Sequence, residues 1–492
     1  MVVYVCIRNN PPLVGLRCLC GNRASAPRGE SEQKVELLIS VSPALPADVL
    51  ISFPETPAEE VAEATAKARR AQAEWWASGP AARANALAKA AEALEAAAQE
   101  MTDLAIREVG KPVSEMVGEV GRGVSILRYH SQASLDPDGD SLPAGNPDGL
   151  LIARRRPHGV AGLITPWNFP VAIPLWKAAP ALAYGNAVIL KPAPAATATA
   201  LRLKELLDAA LPADLFQVVP GDKATGEALI ANCDAISFTG STKVGKAVVL
   251  ACAARGIPVQ TEMGGQNPSI VFADAAVESA AKMVAGAAMG FSGQKCTATS
   301  RIIVVGEVPE FVDALIAEVE ALKVGDPAES ATVVGPVISD LAASAVAEAG
   351  VEAARSGGRV LAGGRRQAKE GYYVEPTLVA GLDQSQRLAR VEIFGPFALV
   401  MHAADESEAI QIANDVPYGL VASVFTSDLD RALRVGTRLE TGLARVNAPT
   451  SGVDFYAPFG GMKESSFGPR EQGKAARDFY TWTQTLTILP AR

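Results

Sequence analysis

The stretch from Val160 to Lys191, VAGLITPWNFPVAIPLWKAAPALAYGNAVILK, indicates the fold. A short apolar run is followed by a loop with two prolines, by an apolar helical segment that begins near Ile173 and, after a Gly-Asn turn, by a second apolar run. Strand-like runs that alternate with helices are typical of parallel βαβ units. The alternation continues to residue 261, and a second series begins at Ser269. Two α/β domains are therefore predicted.

The composition excludes several function classes. The chain has 492 residues, 49% of them hydrophobic, and a formal net charge of −9. An acidic chain lacks the clustered Lys/Arg face that nucleic-acid phosphates require, so no nucleic-acid partner is expected. No apolar run approaches the ~20 residues of a membrane-spanning helix, and the opening MVVYVCIRNNPP is broken too soon for a signal peptide. A cytoplasmic protein with no membrane partner is predicted.

The cysteines and histidines do not indicate a disulfide framework or a metal site. Six cysteines in so long a chain are too few for a disulfide scaffold. Three scattered histidines argue against a histidine-built metal site, and no metal is expected. Residues 1–36 hold three of the cysteines, lack periodicity and are rich in Arg, Pro and Gly. They are interpreted as an irregular leader.

A small β-element is predicted from turn signals and from the C-terminal tail. Two Pro-Asp-Gly turns, at residues 136–139 and 146–149, surround a short strand at 150–155. This pattern predicts a protruding hairpin. The tail, residues 476–489, shows strand-like alternation and is the candidate partner of that hairpin.

Three residues are candidates for chemistry. In residues 290–301, GFSGQKCTATSR, Cys296 stands among small and polar neighbours, as an accessible nucleophile would; a small buried hydrophobe is the alternative. Asn168, in the stiff loop TPWNFP, suits an oxyanion hole, unless it is a turn asparagine that bonds its own backbone. Glu262 ends another strand beside two glycines and suits a general base. A capping or surface role is its alternative.

Two strand-to-helix turns favour a nucleotide ligand. No GxGxxG follows any predicted strand, but residues 238–245, FTGSTKVG, link a short strand to a helix. Their glycines and helix-terminal amides could face a diphosphate, although a glycine-rich turn without a ligand is equally compatible with the pattern. Lys191 ends a neighbouring strand and places a cation near the same sheet edge.

Seven motifs, in order from about residue 43 to the end of the chain, resemble those of the aldehyde dehydrogenase superfamily. They are PWNFP, KPA, FTGS followed by Gly245, EMGG, GQKCTA, EIFGP at 392–396 and PFGG at 458–461. The resemblance implies oxidation of an aldehyde to its acid through a thiohemiacetal and a thioester. It implies that Cys296 is the nucleophile and that the Asn168 side chain and the Cys296 backbone N–H stabilise the oxyanion. It also implies that Glu262 activates the water that hydrolyses the thioester.

The resemblance also implies a site for NADP or NAD. The residues that it assigns to the cofactor are Thr165, Trp167, Lys191, Pro194, Gly221, Phe238, Gly240, Ser241, Gly245, Glu392 and Phe394. Lys191 and Glu392 would hold ribose hydroxyls, while Trp167 and Phe394 would border the cofactor. Pro194 stands where NAD-preferring members carry an acidic residue that repels a 2′-phosphate. Use of both NADP and NAD is therefore expected.

The C-terminal stretch indicates a substrate class. Residues 447–481, NAPTSGVDFYAPFGGMKESSFGPREQGKAARDFYT, are similar to the α-ketoglutarate semialdehyde (2,5-dioxopentanoate) dehydrogenases. An aldehyde with a distal carboxylate needs a cation in the substrate tunnel, and Arg122 stands on the helix where other members place an apolar tunnel residue. Trp176, Val453 and Phe459 align with further tunnel positions. A solvated helix arginine is the alternative for Arg122.

The implied organisation is a Rossmann-like cofactor domain, an α/β catalytic domain and a small β oligomerisation element. The predicted boundaries are 37–136 and 157–262 for the first, 263–472 for the second, and 137–156 and 473–492 for the third. Exposed strand edges of that element favour a homodimer or homotetramer. The rival functions are a dehydrogenase for another aliphatic or aromatic aldehyde, a cofactor-independent cysteine acyl transferase or esterase, and a non-catalytic binding protein. No plausible histidine partner stands beside Cys296, which argues against the transferase or esterase.

Overall fold

The computed structural model describes residues 37–491, so the predicted leader, residues 1–36, lies outside the described range. The helices are α1 (Ala58–Ala77), α2 (Pro80–Ala96), α3 (Ala98–Val109), α4 (Val113–Ala133), α5 (Ala172–Ala183), α6 (Thr197–Asp208), α7 (Lys223–Asn232), α8 (Thr242–Arg255), α9 (Val277–Met289), α10 (Pro309–Glu320), α11 (Asp340–Arg355), α12 (Arg387–Arg390), α13 (Glu406–Asn414), α14 (Leu429–Gly436) and α15 (Ala475–Tyr480). Short 3-10 turns cover Pro194–Ala196 and Gly290–Gly293.

The strands form two large sheets and three small ones. They are β1 (Leu37–Val41), β2 (Val49–Pro54), β3 (Gly139–Leu142), β4 (Leu150–Pro157), β5 (Val160–Thr165), β6 (Ala187–Pro192), β7 (Phe216–Val218), β8 (Ala235–Thr239), β9 (Val259–Glu262), β10 (Asn267–Val271), β11 (Thr299–Val305), β12 (Arg359–Ala362), β13 (Thr377–Ala380), β14 (Phe397–Ala403), β15 (Tyr418–Gly419), β16 (Val421–Phe425), β17 (Leu443–Val446), β18 (Met462–Lys463), β19 (Ser466–Phe467) and β20 (Thr481–Ile488).

The first large sheet has the strand order β19-β9-β8-β5-β6-β7, and all of its neighbouring pairs except β19 with β9 are parallel. The chain starts at β5 in the middle, winds outward to β7 and then returns to β8 on the other side of β5. The winding direction therefore reverses between β5 and β8. In open α/β sheets, ligands bind outside the carboxyl ends of the strands at such a switch point.

The sequence of the first sheet explains its burial. Every residue of β5, β6 and β8 is buried, as expected for parallel strands whose two faces are covered by helices. The helix α5, which connects β5 to β6, is also buried at every position. Strand and helix alternate as the stretch 160–191 predicts.

The second large sheet has the order β12-β13-β14-β11-β10-β16-β17 and is parallel except at β12. Its winding reverses between β10 and β16. The predicted boundary between residues 262 and 263 falls between β9 and β10, which lie in different sheets. One short segment of the predicted catalytic range departs from this division, because β19 pairs with β9 at the edge of the first sheet.

The predicted hairpin and its partner strand are both present. The strands β3 and β4 are antiparallel, and β20 pairs with the other edge of β4 from Thr481 opposite Pro157 to Ile488 opposite Leu150. The tail differs from the prediction at its start, where α15 replaces the expected strand. Its apolar residues 476, 479 and 480 follow helical rather than alternating spacing, and they pack into the core of the first sheet.

Within residues 37–491, no helix combines the length and the apolar character needed to cross a membrane. In the same range, no three His, Cys, Asp or Glu side chains are grouped as a metal site would require.

Candidate active site

The three predicted catalytic residues come from loops that meet between the two large sheets. Asn168 follows β5 and Glu262 ends β9, so both lie at the carboxyl edge of the first sheet. Cys296 precedes β11 and enters the second sheet from its amino edge. The Asn168 Nδ2 atom donates to the Gln294 carbonyl at 2.9 Å. A Cβ added at Gly265, in the loop after Glu262, would stand 2.9 Å from the Cys296 carbonyl oxygen.

The backbone ahead of Cys296 has a strained conformation. Phe291, Ser292 and Gly293 have φ angles of 50°, 54° and 63°, a left-handed run that side-chain-bearing residues rarely adopt. Gly293 is required there, since a Cβ would approach the Gly395 carbonyl oxygen to 2.1 Å. The Ser292 hydroxyl holds the run by donating to the Gly335 carbonyl at 2.7 Å. Such strain persists only where surrounding contacts enforce it.

Asn168 is 4% exposed and is not a turn asparagine that bonds its own backbone. Its amide instead reaches across to the loop that carries Cys296. An amide nitrogen has two N–H groups, and Gln294 occupies one of them. The second N–H remains for the oxygen of a substrate.

Glu262 is 3% exposed, which excludes a surface role. Its Oε2 atom accepts a hydrogen bond from the Ser466 hydroxyl at 2.6 Å. Burial raises the pKa of Glu262 well above its usual range, and the neighbouring Glu471 carboxylate raises it further. A carboxylate with a raised pKa is a better proton acceptor near neutral pH.

Cys296 is half-buried among apolar groups, in contrast to the fully buried Cys233 and Cys252. Burial, followed by the negative charges of Glu392 and Glu262, raises the pKa of the Cys296 thiol to about 12. The thiol is therefore protonated at neutral pH, and it must lose its proton before it can act as a nucleophile.

The switch point of the first sheet fits a diphosphate. The hydroxyls of Thr165 and Thr239, at the carboxyl ends of β5 and β8, are buried and have no hydrogen-bond partner. A Cβ at Gly240 would lie 2.6 Å from the Phe238 ring, so only glycine permits this close approach. Ser241 precedes α8 and makes no side-chain cap to that helix. Its hydroxyl and the free helix amides are available to an anion.

Gly245 and Gly221 allow further close packing in this region. A Cβ at Gly245, in the first turn of α8, would lie 2.4 Å from the Met263 sulfur. The Gly221 carbonyl accepts a hydrogen bond from the Lys191 Nζ atom at 2.9 Å, and the Pro192 carbonyl accepts another at the same distance. Burial lowers the pKa of Lys191 to about 8, so its cation persists at neutral pH.

The remaining predicted cofactor residues are Trp167 and Pro194, which precede Cys296 in the sequence, and Glu392 and Phe394, which follow it. Pro194 begins the 3-10 turn after β6 and brings no carboxylate to that position. The Glu392 Oε1 atom accepts from the Gly265 N–H at 3.1 Å, and burial raises the pKa of Glu392 to about 7. Trp167 and Phe394 meet edge to face, with ring centroids 5.8 Å apart. These donors, rings and glycines fit a nicotinamide dinucleotide.

The predicted substrate residues form one wall beside the nucleophile. Val453 and Phe459 pack in a cluster that includes Cys296, and Trp176 lies on Phe459 with 5.9 Å between ring centroids. Arg122 is half-buried rather than solvated, and its Nη1 atom donates to the Val453 carbonyl. Within the described residues, no carboxylate lies at ion-pair distance from Arg122.

The family profile of the aldehyde dehydrogenases matches residues 30–486. The chain belongs to the aldehyde dehydrogenase family. It is 40% identical over 462 residues to the alpha-ketoglutaric semialdehyde dehydrogenase of Bacillus subtilis (strain 168), covering 90% of this chain and 94% of the relative. It is 38% identical over 440 residues to betaine aldehyde dehydrogenase 1 of Rhizobium meliloti (strain 1021), covering 87% and 89%.

A solved structure agrees with the family assignment. The indole-3-acetaldehyde dehydrogenase of P. syringae, a mutant in complex with NAD+ and IAA, is similar with a TM-score of 0.89 and 34% identity, covering 92% of this chain and 94% of that one. The predicted fold class, the oxidation of aldehydes and the use of NAD(P) are confirmed. These similarities do not favour any of the rival functions over oxidation of a semialdehyde.

Three residues that the sequence does not single out lie around Glu262. Lys177 and Glu471 form a buried ion pair, each at most 2% exposed, and Ser466 donates to Glu262. The Lys177 Nζ atom also donates to Ser237 Oγ at 2.8 Å. One signal was available, because Lys177 is the single charge in the apolar helix AIPLWKAAPALA. A lone charge in a buried helix implies a buried partner.

The high pKa of Cys296 generates a measurable expectation for the enzyme without cofactor. Because only the thiolate reacts, alkylation by iodoacetamide should accelerate about tenfold per pH unit between about pH 6 and 9. Replacing Glu392 by Gln removes a neighbouring negative charge and should speed alkylation above about pH 7, where the Glu392 carboxyl is ionised. Peptide mass spectrometry resolves Cys296 from Cys233 and Cys252, which serve as internal controls. A plateau of the alkylation rate near neutral pH would show that the Cys296 thiol is already ionised there and would contradict its high pKa.

Proposed function

We propose that this aldehyde dehydrogenase oxidises an aldehyde with a distal carboxylate, of the α-ketoglutarate semialdehyde type, through a covalent adduct on Cys296. The observation that carries the substrate class is Arg122, a half-buried cation without a carboxylate partner in the described chain, bound to the wall that Val453 shares with Cys296. The identity to the Bacillus subtilis relative, whose name carries this substrate, supports the same class.

The chain's own groups account for the covalent steps. The Cys296 thiol first gives its proton to solvent water, and the thiolate then attacks the aldehyde carbon as the C=O electron pair moves onto oxygen. The free N–H of Asn168 stabilises the resulting oxyanion together with the backbone N–H of Cys296. Lys191, Glu392 and the glycines of residues 238–245 would hold NAD(P), which would supply a hydride acceptor, and loss of hydride from the thiohemiacetal would leave a thioester on Cys296. Glu262 then takes a proton from the water that attacks the thioester, and the acid is released.

Two variants separate these roles. Cys296→Ala should bind NAD(P) normally, measured by fluorescence titration, yet form no reduced cofactor, because no adduct forms. Glu262→Gln should give a burst of reduced cofactor in stopped-flow absorbance and then stall, since its thioester is not hydrolysed. Appreciable steady turnover by Cys296→Ala would overturn the mechanism. Loss of the burst in Glu262→Gln would instead assign Glu262 to activation of the thiol.

The charge of Arg122 separates two candidate substrate classes. One relative is named for α-ketoglutaric semialdehyde, an anion, and another for betaine aldehyde, a quaternary ammonium cation. A cation at ion-pair distance favours a carboxylate and repels an ammonium group. Burying an arginine partly without a carboxylate partner is costly, and a substrate carboxylate would offset that cost during catalysis.

Replacing Arg122 by Met tests this assignment. A hydrogen bond to a charged group contributes roughly 1.5–3 kcal/mol, so kcat/KM for α-ketoglutarate semialdehyde should fall about 10- to 150-fold. The loss should be small for pentanal, which has equal length and no charge. Arg128→Met, which removes an exposed arginine from the same helix, is the matched control. Equal losses on both aldehydes would show that Arg122 is structural.

Cofactor choice is proposed to follow from position 194. Without a carboxylate there, nothing at that position repels a 2′-phosphate, and the Lys191 cation is available to attract one. Binding of NADP should therefore be comparable to that of NAD. Pro194→Glu should weaken NADP binding far more than NAD binding through charge repulsion. Dissociation constants from equilibrium titration decide this, and a wild-type protein that does not bind NADP would contradict it.

The assembly is proposed to be a homodimer or homotetramer. The strand β20 is an edge of its three-stranded sheet, and Trp482, Leu486 and Ile488 alternate along it, each exposed by more than a third. Unpaired apolar edges of this kind are commonly covered by another subunit. Light scattering after gel filtration should give a multiple of the chain mass, and Trp482→Asp should lower it. A monomeric wild-type protein at micromolar concentration would exclude the proposal.

A further inference from the structure

We propose that the buried ion pair between Lys111 and Glu119 positions the two loops that carry Asn168 and Cys296. The proposal rests on the function proposed above, because positioning these loops affects the reaction only if Asn168 and Cys296 act in it. The ion pair itself takes part in no chemical step. Lys111 lies between α3 and α4, and Glu119 lies on α4. Both side chains are at most 1% exposed. They act on the reaction only through the loops that they contact.

Glu119 anchors the loop of Asn168 at its far end. One carboxylate oxygen, Oε2, accepts from Lys111. The other, Oε1, accepts from the backbone N–H groups of Val171 at 2.9 Å and Ala172 at 3.0 Å. These amides begin α5, where a negative charge is favourable because the first N–H groups of a helix have no internal partner. The loop with Asn168 is thus tied to α4 immediately before α5.

Lys111 contacts both catalytic loops with one ammonium group. Its Nζ atom lies 3.5 Å from the centroid of the Phe169 ring and 4.6 Å from that of Phe291. Phe169 is adjacent to Asn168, and Phe291 begins the left-handed run ahead of Cys296. A cation over an aromatic face is attracted by the negative charge of the ring, and the attraction is stronger when the cation is out of water. The ammonium therefore fixes the separation of the two rings and of the loops that bear them.

A second ion pair attaches the nucleophile loop to the same helix. Lys295, the residue before Cys296, pairs with Glu115 at 2.7 Å. Glu115 lies on α4 one turn before Glu119. One helix therefore holds the Asn168 loop through Glu119 and the Cys296 loop through Glu115, with Lys111 between them.

Stability alone does not explain this arrangement. Burying two charges costs several kcal/mol per ion, and well-packed apolar residues of similar volume often serve stability equally well. Geometry explains the buried ion pair better. The Asn168 amide must lie within hydrogen-bond distance of the aldehyde oxygen, which becomes negatively charged when Cys296 attacks the carbon bonded to it. A displacement of ~1 Å between such groups can cost about a hundredfold in rate.

Four variants of the full-length enzyme test the proposal. Lys111→Met removes the cation, Glu119→Gln neutralises the carboxylate, and the double variant has no unpaired buried charge. Arg83→Met is the matched control, because Arg83 is also buried and 5.0 Å from the Trp76 ring, and it donates to the Ala183 carbonyl at the far end of α5. For each variant we would measure kcat, KM, the NAD dissociation constant, the thermal midpoint and the alkylation rate of Cys296.

Lys111→Met and the double variant should lose about ten- to a hundredfold in kcat, with the NAD dissociation constant unchanged. The double variant should recover most of the thermal midpoint that Lys111→Met loses, while its kcat stays low. The alkylation rate of Cys296 should change in both, and Arg83→Met should lower only the thermal midpoint. A double variant with wild-type kcat, or a kcat loss in Arg83→Met equal to that of Lys111→Met, would overturn the positioning role.

A variant that leaves the ion pair intact covers the case in which the pair variants do not fold. Phe291→Leu removes one ring from the ammonium, so kcat and the alkylation rate of Cys296 without cofactor should change while KM for the aldehyde stays unchanged. An unchanged kcat would overturn the proposal. Failure of the proposed function itself has a different signature, because Cys296→Ala would then retain turnover whatever the Lys111 variants show.

Discussion

Desolvation of charge is the constraint on which this active site depends. A carboxylate or ammonium taken out of water must find a partner inside the protein or lose its charge. Lys177 forms a buried ion pair with Glu471, and Lys111 forms one with Glu119, so each of these charges has a partner of opposite sign. Glu262 differs from these residues, because its hydrogen-bond donor is the neutral Ser466 hydroxyl and its neighbour Glu471 carries a charge of the same sign. Burial and then the Glu471 charge raise the pKa of Glu262, while the hydrogen bond from Ser466 opposes that shift, and a raised pKa suits a carboxylate to accept a proton.

The topology of two parallel sheets brings the reacting groups together. In the first sheet, strand ends at the carboxyl edge provide Thr165, Lys191, Thr239 and Glu262. The second sheet contributes Cys296 from its amino edge, just ahead of β11. Because β9 continues into β10 through a loop of four residues, the edges of the two sheets are close in sequence as well as in space. The sheet proposed to bind the cofactor and the sheet whose edge carries the proposed nucleophile are therefore joined by a short segment of backbone.

Two strained backbone segments lie next to each other beside the Cys296 loop. The left-handed run at residues 291–293 is matched by Phe394, whose φ is 52°. The two strained segments touch, since Gly293 approaches the Gly395 carbonyl too closely for any side chain. Strain of this kind costs on the order of 1–3 kcal/mol per residue. Buried contacts, including the hydroxyl of Ser292 and the ring of Phe291 beneath Lys111, hold it in place.

The sequence by itself determined the α/β class and the positions of the motif residues. Parallel βαβ units place all strand ends on one edge, so residues that follow successive strands must converge. The local pattern predicts a strand from residue 476, whereas residues 475–480 form a helix. The partners of the buried cations follow only from the tertiary structure. Lys177 pairs with the Glu471 carboxylate 294 residues away, and Arg122 donates to the Val453 carbonyl 331 residues away. Such pairing depends on which groups lose water together, and that is settled only when distant segments pack.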